Sequence, residues 1–222
     1  PDKQKPDLLV VKADATRANF PRNLAALSIP KVMVIGDTGH LHKPLRSVIG
    51  YALQERYNYY VADHGRHHLH FFIEAGLPNV HWMPGLFVRI WDIPFQTNRT
   101  VPLSFVGQAG KYHPNRVQMI ERLKKEKKPL HFGQAPQQKA FEIYAKSLIT
   151  LNLSLNGDIN LRVFEALAAG GFLLSDKVER QAGADLFFRD GEHLVLWENL
   201  DDLCEKIDYY LMHPNEAVAI AN

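Results

Sequence analysis

Apolar runs of strand length alternate with amphipathic stretches of helical period along almost the whole chain, which is the pattern of β–α–β units around a parallel sheet. In the first half, Leu8–Lys12, Lys31–Ile35, Asn58–Ala62 and Asn79–Met83 predict strands, with helices over Pro21–Leu27, Pro44–Glu55 and His67–Ala75. Pro84–Thr100 holds no sustained period and reads as a connection. The rhythm then restarts. Strands are predicted at Leu103–Val106, Leu130–Phe132, Leu151–Leu155, Phe172–Ser175 and Leu194–Trp197. Helices follow over Asn115–Lys125, Gln137–Ser147, Asn160–Ala168, Arg180–Phe187 and Leu200–Met212, with a last one from Pro214 or Asn215. The expected organisation is therefore α/β, with two Rossmann-like parallel-sheet lobes. Residues 1–90 form an incomplete first lobe, 91–100 a connection, and 101–222 a nearly complete doubly wound domain.

Composition narrows the partners. At 222 residues, with 46% hydrophobic and 23% charged positions, the chain is long enough to bury real cores. A net charge of +2 is too small to argue for nucleic acid or an anionic membrane. The basic cluster Arg122, Lys124, Lys125, Lys127 and Lys128 ends a predicted helix, where it complements the negative end of the helix dipole. The single cysteine, Cys204, excludes an internal disulfide and fits a reducing, cytoplasmic setting, peripheral attachment to a membrane included. Its place in LDDLCEKIDYYL suggests a buried helical face. No apolar run reaches the length of a membrane helix, and both ends read as cuts in a longer protein.

The chemistry concentrates in LNLSLNGDINLRVFEALAAGGFLLSD, Leu151 to Asp176. In open α/β sheets ligands gather beyond the carboxyl ends of the strands. The loop Asn156, Gly157, Asp158 leads into a helix there, with Asn160 at its start, and a helix beginning near Asp158 carries Asp158, Arg162 and Glu165 on one side. Free N–H groups of a first turn can hold a diphosphate. Arg162 could pair with a phosphate oxygen, and Glu165 could accept from both hydroxyls of a ribose. A surface ion pair between Arg162 and Glu165 is the competing reading. Gly170 and Gly171 close the helix. Gly107 and Gln108 follow one strand, Gly133 and Gln134 another, where a ligand could approach the backbone or a base could rest.

In the first half, Asp37 and His40 follow a strand and could orient or deprotonate an acceptor hydroxyl, although a turn or helix cap explains them too. Asp63 and His64 occupy the next such loop. His64 and His68 sit at i,i+4 spacing, but the cluster with His67 and His70 lacks a full ligand set beyond Asp63, so no metal is expected. No Gly-x-Gly-x-x-Gly stretch points to a dinucleotide enzyme.

SFVGQAG (Ser104–Gly110), NLRVFEALAAGGFLLSD and FRDGEHLVLWENLDDLCEKIDYYLMHPNEAVAIA together resemble the C-terminal domain of CgeB-like, group 1 glycosyltransferases. KPDLLVV, VMVIGDTGH and GLPNVHWMPG resemble the later part of their N-terminal domain. The resemblance implies the GT-B architecture and transfer from a nucleoside-diphosphate sugar, such as a UDP- or GDP-sugar, to a hydroxyl on a glycan, lipid or protein. It implies that Glu165 binds the donor ribose, that Arg162 lies near the diphosphate, and that Gly107 belongs to the phosphate-side loop. Where related enzymes carry a second glutamate, eight residues earlier, this chain has Gly157 with Asp158 beside it. No Asp-x-Asp triplet occurs, which agrees with a metal-independent reaction that uses no cofactor. A non-catalytic nucleotide-sugar-binding or scaffolding module with the same fold is the alternative.

Overall fold

A computed structural model describes residues 6–39 and 41–222. These fall into two compact units that part between Phe87 and Val88. In the first, four parallel strands lie in the order of the chain: β1 (Leu9–Ala13), β2 (Lys31–Ile35), β3 (Tyr59–Ala62) and β4 (Val80–Trp82). Two helices connect them, α1 (Pro44–Glu55) between β2 and β3 and α2 (Leu69–Glu74) between β3 and β4. Met33, Ile35, Tyr60 and Ala62 of the sheet pack with Val48, Tyr51, Ala52 and Phe72 of the helices in one dry core. The stretch Pro21–Leu27 does not make the expected helix. Only one 3-10 turn forms, Leu24–Ala26, because Asn23 before it sits at φ 63.

The second unit carries five parallel strands in the order β6–β5–β7–β8–β9. They are β5 (Val101–Val106), β6 (Leu130–Gly133), β7 (Ser147–Asn152), β8 (Leu173–Asp176) and β9 (Val195–Trp197). Their helices are α3 (Pro114–Lys125), α4 (Gln137–Lys146), α5 (Leu161–Ala168), α6 (Leu200–Met212) and α7 (Pro214–Ala221). The winding reverses between β5 and β7, which opens a crevice beyond their carboxyl ends. Leu103, Phe105, Ile149, Leu151 and Leu174 of the sheet pack with Met119 and Leu123 of α3 and with Leu203 and Ile207 of α6. Cys204 is part of this core, and burial pushes its thiol up to about 11. Arg122 pairs with Glu126 and, at 2.6 Å, with Asp201, while Lys128 pairs with Asp208 at 2.6 Å. The basic end of α3 is thus tied to α6. No helix among the described residues is long and apolar enough to cross a membrane.

Three expectations in this unit need correction. Strand β7 ends at Asn152, three residues before Leu155, because the amide of Ser154 bonds the Asp176 carboxylate (2.9 Å) instead of a neighbouring strand. Arg180–Phe187 forms two 3-10 turns, Arg180–Ala182 and Ala184–Leu186, separated by Gly183 at φ 80. Helix α5 begins at Leu161, so Asp158 lies in the loop before it and shares no helical face with Arg162 and Glu165. Asn160 is the cap, its Oδ1 accepting the Arg162 amide at 3.1 Å.

The far end of α5 closes as a Schellman turn: Gly170 N–H meets Leu167 O at 2.9 Å and Gly171 N–H meets Ala166 O at 2.8 Å. Gly170 takes φ 67, and a Cβ on Gly171 would stand 2.9 Å from Ala166 O and 3.2 Å from Tyr144 O. Both obstacles are backbone. Gly171→Ala should therefore cost about 1–3 kcal/mol, read as a lower denaturant midpoint with an unchanged slope.

Candidate donor-binding site

The crevice between β5 and β7 is shaped by two buried arginines. Arg162, 8% exposed, donates from Nε to Val106 O (2.9 Å) and from Nη1 to Asn152 Oδ1 (2.8 Å). Its guanidinium lies 4.4 Å from the Phe105 ring centroid. It thus joins the ends of β5 and β7 from beneath. Arg116 of α3 does the same one layer away, donating to Leu153 O (3.1 Å) and Gln108 O (3.2 Å). Burial lowers both guanidinium pKa values, that of Arg116 to about 10 with the Arg162 charge as the next cause. Both remain cations at neutral pH, so two positive charges sit under the loops that border the crevice.

This geometry corrects the surface ion-pair reading of Arg162, whose side chain is inside. It also alters the forked phosphate contact, since two of its nitrogens are already engaged by protein oxygens. Arg116 was missed in the sequence, although the signal was there. It lies three, four and seven residues before Met119, Ile120 and Leu123, on the buried stripe of α3. Asp176, at the end of β8, was missed as well. Its carboxylate holds the β7 loop through Ser154 and is raised in pKa by burial.

Gly107 follows β5 directly, its N–H bonded to Gly133 O at 2.9 Å. A Cβ there would stand 2.2 Å from Arg162 Nη2, so the absence of a side chain is what lets the guanidinium pass. Glu165, half-buried on α5, accepts from Gln137 Nε2 of α4 at 2.8 Å. Its other oxygen, Oε2, has no hydrogen bond among the described residues. Asn160 Nδ2 is buried without a partner there. Gly107, Gly133, Asn160, Arg162 and Glu165 therefore gather around the carboxyl ends of β5 and β6 and the head of α5, with the exposed Gln108 at the mouth.

Asp158 stands apart from that group. It lines a cleft of about 650 Å³ over the ends of β8 and β9, which none of Gly107, Gln108, Gly133 or Glu165 lines. Gly157, exposed at φ 68, forms the bend between the two places.

In the first unit, Asp37 accepts the Gly39 amide at 2.8 Å and closes a local turn. His40 lies outside the described residues. Asp63 is buried at the end of β3, 2.5 Å from His64 Nδ1 and 3.6 Å from Lys12 Nζ. His68 Nδ1 lies 2.8 Å from Thr38 Oγ1. The histidines are spent on separate contacts, and no group of three metal-ligating side chains forms among the described residues.

Several solved structures share the fold. TarM is 14% identical with a TM-score of 0.64, over 96% of this chain and 49% of TarM. HepE of Anabaena, solved with UDP-glucose, is 12% identical with a TM-score of 0.59, over 87% of this chain and 65% of HepE. The pneumococcal O-GlcNAc transferase GtfA, solved with UDP and GlcNAc, is 14% identical with a TM-score of 0.56, over 86% of this chain and 47% of GtfA. The chain thus spans about half the length of TarM and GtfA. At these identities the likeness is one of fold, the two-sheet GT-B arrangement. No curated protein sequence matches. The glycosyl transferase-like family profile matches residues 99–222, more than half of the chain, and this protein belongs to that family.

Proposed function

We propose that the second unit holds the donor of a glycosyltransferase, a nucleoside-diphosphate sugar whose sugar passes to a hydroxyl acceptor. The observation that carries this reading is the half-open carboxylate of Glu165 one turn into α5, beside a crevice underlain by two buried cations. The diphosphate would lie at the head of α5, where the dipole, Asn160 and the fields of Arg162 and Arg116 favour negative charge. The ribose would engage Oε2 of Glu165, and the base would lie toward Gly133 and Gln137. Such a site stabilises the leaving diphosphate with fixed dipoles and protein cations, which supports a metal-independent reaction of the group 1, CgeB-like type. UDP-glucose bound by HepE and UDP bound by GtfA support a uridine donor. The assignment of acceptor-side chemistry to Asp37 and His40 rests on the sequence alone.

Titration of the chain with UDP and with GDP tests the donor reading. One of them should bind, and Glu165→Gln should weaken it by about 2 kcal/mol, roughly thirtyfold, through loss of charge-assisted bonds to the ribose. Binding of neither nucleotide, or an unaltered affinity in the variant, would remove the assignment. A scaffolding role is favoured by one feature, Gly157 in place of the second glutamate. It predicts the same nucleotide affinity with no donor hydrolysis or transfer.

A further inference from the structure

The cleft that contains Asp158 has the wrong charge for a diphosphate. About 650 Å³ in volume, it is lined by apolar side chains that include Ile159, Val163, Phe188 and Leu196, together with several carboxylates. Six acidic side chains line it against two basic ones, Lys177 and Arg180. Both basic groups are already paired, Lys177 with Glu198 at 2.6 Å and Arg180 with Asp185 at 3.3 Å. That leaves Asp158, Asp176, Glu179 and Asp190 with no cationic partner within ion-pair distance among the described residues. Asp176 and Asp190 at least accept backbone amides, from Ser154 (2.9 Å) and Leu196 (2.8 Å).

Asp158 has no such relief. It is 6% exposed, lines the cleft, and takes part in no hydrogen bond or ion pair among the described residues. Its carboxylate oxygens are therefore open to the cleft, where a donor from outside the fold can reach them. Arg116 feels the Asp158 charge, but its hydrogen bonds, like those of Arg162, go to backbone and Asn152 oxygens. The carboxylates do not converge as a metal would require, since no three of them form a ligand group. They are instead spread over a cavity of small-molecule size with apolar walls.

We infer that this cleft is a second ligand site, separate from the donor crevice, which binds an organic ammonium: a cationic amine carried on an apolar body. The ammonium meets Asp158 at the inner end, with Glu179 and Asp190 supplying the surrounding negative field. The apolar body covers Val163, Phe188 and Leu196. This inference is independent of the nucleotide reading, and its test uses no nucleotide.

The test is calorimetric or NMR titration of the 222-residue chain with phenethylammonium chloride, 2-phenylethanol and 3-phenylpropionate, three probes of similar shape and different charge. Phenethylammonium should bind with perturbation of the Ile159, Val163 and Phe188 resonances. The alcohol should bind about tenfold more weakly and the carboxylate not measurably. Asp158→Asn should lower ammonium affinity by about tenfold, with the fold retained because the amide keeps the shape of the carboxylate. Glu179→Lys, a change on the exposed rim, should weaken the ammonium alone, which keeps the test valid if the inner variant folds poorly. No ammonium binding, equal affinity for the alcohol, or magnesium or calcium binding that displaces the ammonium would overturn the inference.

Discussion

Arg162→Met should lower the stability of the second unit by about 2–4 kcal/mol and abolish the proposed nucleotide binding. The side chain volume is nearly kept, so the loss is one of bonding. Val106 O and Asn152 Oδ1 each lose their donor in a buried place, and a buried acceptor left unpaired costs about 1–3 kcal/mol. Departure of the guanidinium from the Phe105 ring adds about 0.5–2 kcal/mol. Relief from burying a charge offsets part of this, but among the described residues no carboxylate is bonded to Arg162 whose removal could complete the exchange. Arg162→Lys falls between the two, since an ammonium cannot span both acceptors in the fixed geometry of a guanidinium. Denaturant unfolding of the three proteins, followed by nucleotide titration of those that fold, measures both effects. A methionine variant as stable as the parent would show that the arginine is not the brace between β5 and β7.

Gly107→Ala produces the second large effect, and it depends on the first residue. The added methyl carbon would stand 2.2 Å from Arg162 Nη2. A flexible side-chain end would normally step aside, but this one is fixed by two hydrogen bonds and a stacked ring. Either those bonds break or the loop after β5 moves, at about 1–3 kcal/mol. The backbone at residue 107 has no positive φ, so conformational strain plays no part. In the Arg162→Met background the obstacle is gone and the same substitution should cost little. The double-mutant cycle therefore gives a coupling energy of about 1–2 kcal/mol. Additive losses would mean that the glycine serves the backbone and not the arginine.

Much of this arrangement is legible in the sequence, for identifiable reasons. The bounds of β2, α1 and α6 follow directly from their apolar period. Glu165 is legible through its place one turn after a helix start, and Gly107 through its place after a strand. The end of β7 is not, because Leu153 is as apolar as a strand residue while its chain has already left the sheet for the Asp176 carboxylate. Gly183 defeats the helix expected over Arg180–Phe187 for a similar reason: a period of 3.6 carries no information about a positive φ. Arg162 illustrates the harder limit. Spacing puts it near Glu165, but only the packing of Phe105 and the absence of a Cβ on Gly107 turn it inward. Asp158 shows the converse, since its proximity in sequence to Asn160, Arg162 and Glu165 hides its place in the cleft over β8 and β9.

The most direct measurement is a crystal structure of the chain soaked with a UDP- or GDP-sugar. The account predicts ribose hydroxyls within hydrogen-bond reach of the Glu165 carboxylate, with Gln137 shifted or shared, and the diphosphate at the amide end of α5 above Arg162. A nucleotide seated against Asp158 and Asp190, or one whose pentose lies away from Glu165, would contradict it.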